Sequence, residues 1–238
     1  IIDTMLAFKL LMKSHKVIKY KACATSAMRE ASNGKEVSNL VLKKSNIQID
    51  IIGGEEEAAI IAATDLHKYI DDNKTYLYVD VGGGSTEFTV IHKGSSIASK
   101  SFKIGTVRLL NDMVKKEAWQ ELEMWIKNQA LSFEKIEVIG SGGNINKIFK
   151  ISGKALGKPL TYFYLTSYYN TLQSYSYEER ITVLDLNQDR ADVIIPAMRI
   201  YLSAMKWSGA KHIYVPKIGL ADGIIKSIYF DTVSSNTQ

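Results

Sequence analysis

The sequence predicts an α/β protein whose length allows one domain or two. Short segments rich in β-branched and aromatic residues, typical of buried strands, alternate with segments whose apolar residues recur at helical spacing. Two of the strand segments run directly into glycine-rich turns, at residues 82–84 and 140–143. The polar turn at residues 71–74 precedes the central strand and is the best candidate for a hinge between the domains.

The composition is that of an ordinary soluble globular protein. With 238 residues the chain can bury one sizeable core or two modest ones, and 46% of its residues are apolar while 23% are charged. The single cysteine, Cys23, excludes an intramolecular disulfide and fits a reducing compartment, so we expect the protein in the cytoplasm. No run of about 18 apolar residues occurs, and we therefore expect no membrane span.

The charge is positive and spread along the chain. The sequence has 30 basic and 25 acidic residues, which give a net charge of +5. Such a field would help to gather a polyanion, although solubility explains scattered lysines more simply. No zinc-finger spacing or RNA-recognition motif indicates a nucleic-acid partner.

The first 15 residues are predicted to form an amphipathic helix rather than a signal peptide, because an early acid and several lysines are interspersed at helical spacing. The chain begins at Ile1 instead of methionine and enters this helix without a cap. We therefore expect that its natural beginning is missing.

A strand and a short helix are predicted next. Residues 17–25 alternate as a strand, and residues 26–31 open a helix that Thr25 or Ser26 can cap. The exposed N–H groups of this helix would favour an anion, and Arg29, one turn in, could bind a phosphate through its guanidinium group. Capped helices with an arginine are common, so this pattern alone is a weak indication of a site.

Residues 46–52 are predicted to form a second strand, followed by a helix over residues 55–69. Three consecutive glutamates open this helix, where they complement the helix dipole. A carboxylate with its back to an apolar helix face can instead have a raised pKa and act as a general base. Both interpretations stay open on the residues alone.

The central stretch is residues 75–88. Residues 76–81 are typical of a buried strand and lead into Gly82, Gly83 and Gly84. Without a Cβ, this turn can take positive φ and approach a ligand closely, and its N–H groups, with Ser85, suit a phosphate. Asp80 and Glu87 flank the turn, where carboxylates can hold a divalent cation or orient water. The alternative is a plain hairpin turn.

The remaining segments continue the alternation of strands and helices. A second glycine-rich turn over residues 140–144 follows a buried strand at residues 136–139. Gly219 and Gly223, four residues apart, would allow close packing of the last helix. The other predicted elements are strands at residues 90–92, 96–102 and 213–215 and helices at residues 114–125, 161–177 and 193–205.

The sequence Asp-x-Gly-Gly-Gly-Ser-x-Glu at residues 80–87 resembles the phosphate loop of the exopolyphosphatase/guanosine pentaphosphate phosphatase (Ppx/GppA) family, which belongs to the actin-like superfamily. Other motifs of the family occur in the family's order, so that the resemblance covers nearly the whole chain. They lie at residues 24–31, 54–58, 105–109, 179–180 and 190–192. The family's first phosphate loop has no counterpart here.

The resemblance implies an actin-like (ribonuclease H-like) fold with two domains facing across a cleft. Domain I would comprise residues 1–72 and be incomplete at its N-terminus. Domain II would comprise residues 73–215 and carry the glycine-rich phosphate loop. Residues 216–238 would form a terminal helix that returns to domain I.

The resemblance also implies a phosphoanhydride hydrolase that releases phosphate from polyphosphate or guanosine pentaphosphate, and it allows a homodimer. Glu57, the second glutamate of the pair in the motif at residues 54–58, would be the catalytic base. Asp80 and Glu87 would hold Mg²⁺ or Mn²⁺. The phosphate-binding residues would be Gly82, Gly83, Gly84, Ser85, Arg29, Gly142 and Gly143.

Two other functions stay open. Ala59 and Ala221 stand where the family usually carries arginine, and together with the absent first loop they favour a non-catalytic sensor of polyphosphate or guanosine tetra- or pentaphosphate. A sugar or acetate kinase would share the superfamily's loops, but the glutamate pair matches the hydrolases instead. The sequence does not distinguish polyphosphate from guanosine pentaphosphate as the substrate.

Overall fold

A computed structural model describes residues 1–62, 71 and 73–235 of the chain. The chain forms two compact units, Ile1–Thr64 with Leu220–Gln238 (unit 1) and Asp65–Gly219 (unit 2). The predicted domain boundaries after residues 72 and 215 stay predictions. Residues 63–70 and 72 lie outside the described residues. They include the second half of the predicted helix over residues 55–69 and one residue of the predicted hinge at 71–74.

Helices and strands alternate as the sequence predicts. In chain order they are α1 (Ile2–Ser14), β1 (Ala22–Ala24), α2 (Ser26–Glu30), α3 (Gly34–Ser45), β2 (Ile49–Ile51), α4 (Gly54–Ala62), β3 (Thr75–Val81), β4 (Thr86–His92), β5 (Ser95–Phe102), α5 (Thr106–Leu110), α6 (Lys116–Ala130), β6 (Ile136–Ser141), α7 (Gly143–Ile151), β7 (Leu160–Thr161), α8 (Tyr162–Ser174), α9 (Tyr177–Thr182), α10 (Gln188–Ala191), α11 (Ile194–Ser208), β8 (His212–Tyr214) and α12 (Leu220–Ser235). No helix in this described part of the chain is long and apolar enough to cross a membrane.

Unit 1 contains a small parallel sheet in which β1 pairs with β2. Both strands are shorter than the predicted segments, 17–25 and 46–52, which contain them. Asn46, predicted as the first residue of a strand, instead ends helix α3 in a left-handed conformation with φ of 58°. The prediction of a strand from residue 46 is therefore wrong at its start, and α3 was not predicted, although Val37 and Val41 repeat at helical spacing.

Helix α12 packs on α4 within unit 1. A Cβ added to Gly223 would lie less than 3.0 Å from the carbonyl oxygen of Ile60, whereas one added to Gly219 would meet no described residue within 4 Å. The predicted close packing is thus confirmed for Gly223, and the described residues show none at Gly219.

We expect Gly223→Ala to lower the free energy of unfolding by about 1–2 kcal/mol. Strain from overpacking, typically about 1–3 kcal/mol, exceeds the gain in helix propensity of about 1 kcal/mol. Urea denaturation measures the change, with Gly219→Ala as the matched control because that position has room for a methyl group. Equal stability of the two variants would contradict the tight α4–α12 contact.

Unit 2 is built on a six-stranded sheet with the order β5-β4-β3-β6-β8-β7. β3, β4 and β5 are antiparallel, β3 pairs in parallel with β6 and β6 with β8, and β7 is antiparallel at the edge. Every residue of the central strand β3 except Asp80 is buried, which explains its almost continuous apolar sequence. The strands predicted after the glycine turn, at residues 90–92 and 96–102, are confirmed as parts of β4 and β5.

The pairing of β3 with β6 determines where the candidate site lies. Asp80 and Ser141 are partners in this pairing, near the carboxyl ends of both strands. Both glycine-rich turns therefore begin at the same edge of the sheet, where α/β proteins bind ligands. Helix α11 is largely buried and packs on β3 and β6, so these strand ends have a rigid support.

Candidate functional site

Three donors of helix α5 bind the carbonyl groups of the first glycine-rich turn, residues 82–84. The bonds join Thr106 N to Gly82 O at 3.0 Å, Val107 N to Gly83 O at 2.9 Å and Arg108 Nε to Gly84 O at 2.6 Å. In a trans peptide the C=O and the following N–H point in opposite directions, and the described chain has no cis peptide. The N–H groups of Gly83, Gly84 and Ser85 are therefore directed away from α5.

These three successive N–H groups form the kind of concavity that binds anions in proteins. We call the segment from Gly82 to Ser85 the phosphate loop. Gly82 N is not available to a ligand, because it donates to Ser85 O at 3.0 Å and closes the turn. The predicted anion-binding arrangement thus has a geometric basis in this loop.

The glycines of the phosphate loop do not use the positive φ that glycine allows. None of Gly82, Gly83 and Gly84 has a positive φ. Two glycines instead leave room where the loop and α5 meet: a Cβ on Gly83 would lie 3.2 Å from Val107 Cγ2, and one on Gly105 would lie less than 3.0 Å from Gly83 O. At Gly105 the close approach of two backbones, rather than an unusual conformation, requires glycine.

Ser85 is fixed by a buried carboxylate. Its Oγ donates to Glu87 Oε1 at 2.7 Å, and Ser101 Oγ donates to the same oxygen at 2.9 Å. Ser85 and Glu87 are each only 4% exposed. Because its hydroxyl is engaged by Glu87, Ser85 offers its backbone N–H rather than its side chain to a ligand. Ser101 was missed by sequence reasoning, since 14 residues separate it from Glu87.

Asp80 and Glu87 are brought together by the sheet. They are direct partners in the antiparallel pairing of β3 with β4, which places their side chains on the same face. Burial and, to a lesser extent, the negative charge of Glu87 raise the pKa of Asp80 from 3.8 to about 6, against the opposing effect of the nearby Ser141 hydroxyl. Negative charge at this place is therefore not compensated by the protein.

This uncompensated charge should cost stability. Because the pKa of Asp80 is raised in the folded state, the cost is absent below pH 3.8, grows as the pH rises and is complete above about 6. Without divalent cations, Asp80→Asn should raise the free energy of unfolding by up to about 3 kcal/mol at neutral pH. Urea denaturation in EDTA should show this gain shrinking at about pH 5, whereas a pH-independent gain would contradict the assigned cause.

The Asp80–Glu87 pair fits a divalent cation. Among the described residues there is no cluster of three or more His, Cys, Asp or Glu side chains that could hold a metal. Mg²⁺ usually takes only one or two carboxylates and completes its octahedron with phosphate oxygens and water. Two adjacent carboxylates, one with a raised pKa, meet that requirement beside a phosphate loop.

The second glycine-rich turn, residues 140–143, lies next to the carboxylate of Asp80. A Cβ on Gly142 would lie 3.0 Å from Val81 O and 3.5 Å from Asp80 Oδ1, and its φ of +110° is one that side chains rarely adopt. At Gly143 a Cβ would lie less than 3.0 Å from the guanidinium of Arg190, which therefore covers this turn. Sequence reasoning did not predict this position of Arg190, and the phosphate contacts of Gly142 and Gly143 stay predictions.

Tyr201 of helix α11 contacts the last residue of β6. Its hydroxyl donates to the carbonyl of Ser141, whose own Oγ donates to Ile218 O at 3.1 Å. Burial raises the pKa of Tyr201 well above its ordinary value, and the nearby charge of Asp80 raises it further. In the sequence Tyr201 is one more apolar position of a helix, so nothing indicated this contact.

Unit 1 carries the other two predicted site residues. Glu57 lies in the first turn of α4 and is only 8% exposed. Arg29 Nη1 donates to Ile52 O at 2.7 Å, so at least one of its donors joins α2 to the segment before α4. Thr25 precedes α2 without making a side-chain cap, contrary to expectation. The catalytic role of Glu57 and the phosphate contact of Arg29 stay predictions.

Comparison with known proteins gives related enzymes and structures. A Haemophilus influenzae relative named as an exopolyphosphatase is 26% identical over 219 residues, which cover 86% of this chain and 67% of that protein. The crystal structure of a Cytophaga hutchinsonii exopolyphosphatase has a TM-score of 0.80 at 22% identity and covers 95% of this chain and 80% of that one. An Aquifex aeolicus Ppx/GppA structure has a TM-score of 0.76 at 24% identity and covers 97% and 80%.

The structural likeness confirms the predicted actin-like α/β fold class. At these identities it shows the fold alone. The model of the Ppx/GppA phosphatase family matches residues 1–230, which is nearly the whole chain. The chain belongs to the Ppx/GppA phosphatase family.

Proposed function

We propose that the protein hydrolyses terminal phosphoanhydride bonds of polyphosphate or of guanosine pentaphosphate and releases phosphate. The observation that carries this proposal is the phosphate loop, whose three N–H groups turn away from α5 beside the half-buried Asp80 and the buried Glu87. Membership of a phosphatase family and the names of the relatives support it.

The geometry suggests how the loop would act on the transferred phosphate. In the transition state of phosphoryl transfer, charge is spread over the equatorial oxygens, so fixed donors stabilise it without reorganisation. The N–H groups of Gly83, Gly84 and Ser85 would bind these oxygens, and α5 prevents their peptides from turning away. Arg190, against Gly143, adds a positive charge at the neighbouring turn.

Three carboxylates would bind the metal and activate the attacking water. Asp80 and Glu87 would hold Mg²⁺ or Mn²⁺, which when bound supplies charge neutralisation at the phosphate oxygens. Glu57 would accept the proton of the attacking water, because a nearly buried carboxylate is poorly solvated and suits a general base. Ala59 and Ala221, which stand where the family usually carries arginine, are both exposed residues of unit 1.

A phosphate-release assay with long-chain polyphosphate and with guanosine pentaphosphate tests the proposal. We expect Mg²⁺-dependent release from at least one substrate, and the ratio of the two kcat/KM values identifies the preferred one. The Glu57→Gln protein, purified in parallel, controls for contaminating phosphatases. Tight binding of either compound without release would favour the sensor function, and neither binding nor release would contradict both.

A further inference from the structure

We propose that Arg108 is a positioning residue of the phosphate loop. By holding the carbonyl of Gly84 toward α5, its side chain keeps the N–H of Ser85 turned toward the bound phosphate. The inference rests on the proposed function, in which the phosphate loop binds the transferred phosphate.

The backbone of α5 cannot perform this task for Gly84. Thr106 N and Val107 N are engaged by the carbonyls of Gly82 and Gly83, and Arg108 N points to Gly83 O as well, at 3.4 Å. The next N–H, of Leu109, is engaged inside the helix by Gly105 O at 3.0 Å. The available N–H groups at the start of α5 are thus used before the third carbonyl of the loop is reached. A side-chain donor has to replace them.

Arginine is suited to this position because of its Nε. The Nε–H belongs to a planar charged group and donates at 2.6 Å, which is short for an N–H···O bond and agrees with a charged donor. Lysine has no donor at that point of its side chain and presents its charge one atom further out. The bond also explains the tight docking of α5, for which Gly105 leaves out the Cβ that would clash with the loop.

Loss of this bond should free one peptide of the loop. Gly84 has no Cβ, so the peptide between Gly84 and Ser85 can rotate at little steric cost once its carbonyl is released. A rotated peptide would present a carbonyl oxygen, which repels phosphate, in place of the Ser85 N–H. Removing one such donor from a transition-state site typically lowers kcat by ~10²–10³.

The test compares Arg108→Met and Arg108→Lys with the control Arg199→Met. Arg199 is an exposed arginine of unit 2 that stacks on Trp119, with 4.8 Å between its guanidinium carbon and the ring centre, so its replacement changes the net charge equally. For each protein we would measure kcat and KM for phosphate release, the affinity for methylenediphosphonate by calorimetry, and thermal unfolding.

We expect kcat of Arg108→Met to fall ~10²–10³-fold and its bisphosphonate affinity at least ~10-fold, with the Arg199→Met values near wild type. Arg108→Lys should resemble Arg108→Met, since it keeps the charge and loses the Nε donor. If Arg108→Met does not fold, Arg108→Lys decides alone. Wild-type kcat and affinity in a folded Arg108→Lys would overturn the proposal.

The outcome for Arg108 is separable from that of the proposed function. If the wild-type protein releases no phosphate, the hydrolase proposal fails, but the calorimetric comparison still measures whether Arg108 governs anion binding at the loop. If the wild type is active, and Arg108→Met and Arg199→Met lose affinity equally while Arg108→Lys keeps it, the effect comes from net charge and the positioning role is overturned.

Discussion

Replacement of Glu57 by glutamine is expected to slow phosphate release by ~10²–10⁴-fold with little change in substrate affinity. Glutamine has nearly the same shape but cannot accept the proton of the attacking water. Because Glu57 is almost buried at the start of α4, few other groups can replace it in that role. Steady-state kinetics give kcat and KM, and calorimetry with methylenediphosphonate gives the affinity of each protein.

Glu56→Gln is the matched control for this experiment. Glu56 is the preceding residue in the same turn, but its side chain is 54% exposed and pairs loosely with Lys21 at 3.9 Å. We expect its replacement to leave kcat within about twofold, since exposed pairs of this kind contribute little. If Glu57→Gln retains wild-type kcat, or if both variants lose activity equally, Glu57 is not the general base.

The second large effect is expected for Asp80→Asn, which should lower kcat/KM at least ~100-fold. A cation that neutralises charge at the transferred phosphate contributes several kcal/mol, and each 1.4 kcal/mol or so corresponds to about a factor of ten. Asparagine removes one of the two carboxylates at this place while preserving the size of the side chain. The measurement is phosphate release over a series of Mg²⁺ concentrations, with the exposed Asp112→Asn of unit 2 as control.

In the wild-type protein, protonation of Asp80 should lower the activity as the substitution does. The pKa of Asp80 is raised to about 6, so at subsaturating Mg²⁺ the activity should fall as the pH drops through about 6 and the carboxylate takes up a proton. Higher Mg²⁺ should move the midpoint to lower pH, because the cation competes with the proton. A pH profile that is insensitive to Mg²⁺ would contradict the assignment of Asp80 as a ligand.

The strands that carry the site could be predicted because their signals are local. The aromatic and β-branched run before Gly82 forms the central strand β3, and the run before Gly140 forms its neighbour β6. The spacing between Asp80 and Glu87 likewise follows from a hairpin that pairs them across two strands. These features depend on residues within a few positions of one another.

The features that sequence reasoning missed depend on contacts between distant segments. The direction of the Gly84 carbonyl is decided by Arg108, 24 residues away, and the second glycine turn is covered by Arg190 of a separate helix. Tyr201 reaches Ser141 from 60 residues away. For the same reason the sequence did not indicate that Gly83 and Gly105 leave room for the contact between the phosphate loop and α5.

The central claim is that the outward N–H groups of Gly83, Gly84 and Ser85 bind the phosphate. Amide NMR of the isotope-labelled protein, titrated with methylenediphosphonate and Mg²⁺, tests it residue by residue. We predict that these three amide signals shift together with one dissociation constant, while those of Gly153 and Gly157, where an added Cβ would have open space, stay in place. Saturable shifts confined to other residues, with these three unchanged, would contradict the account.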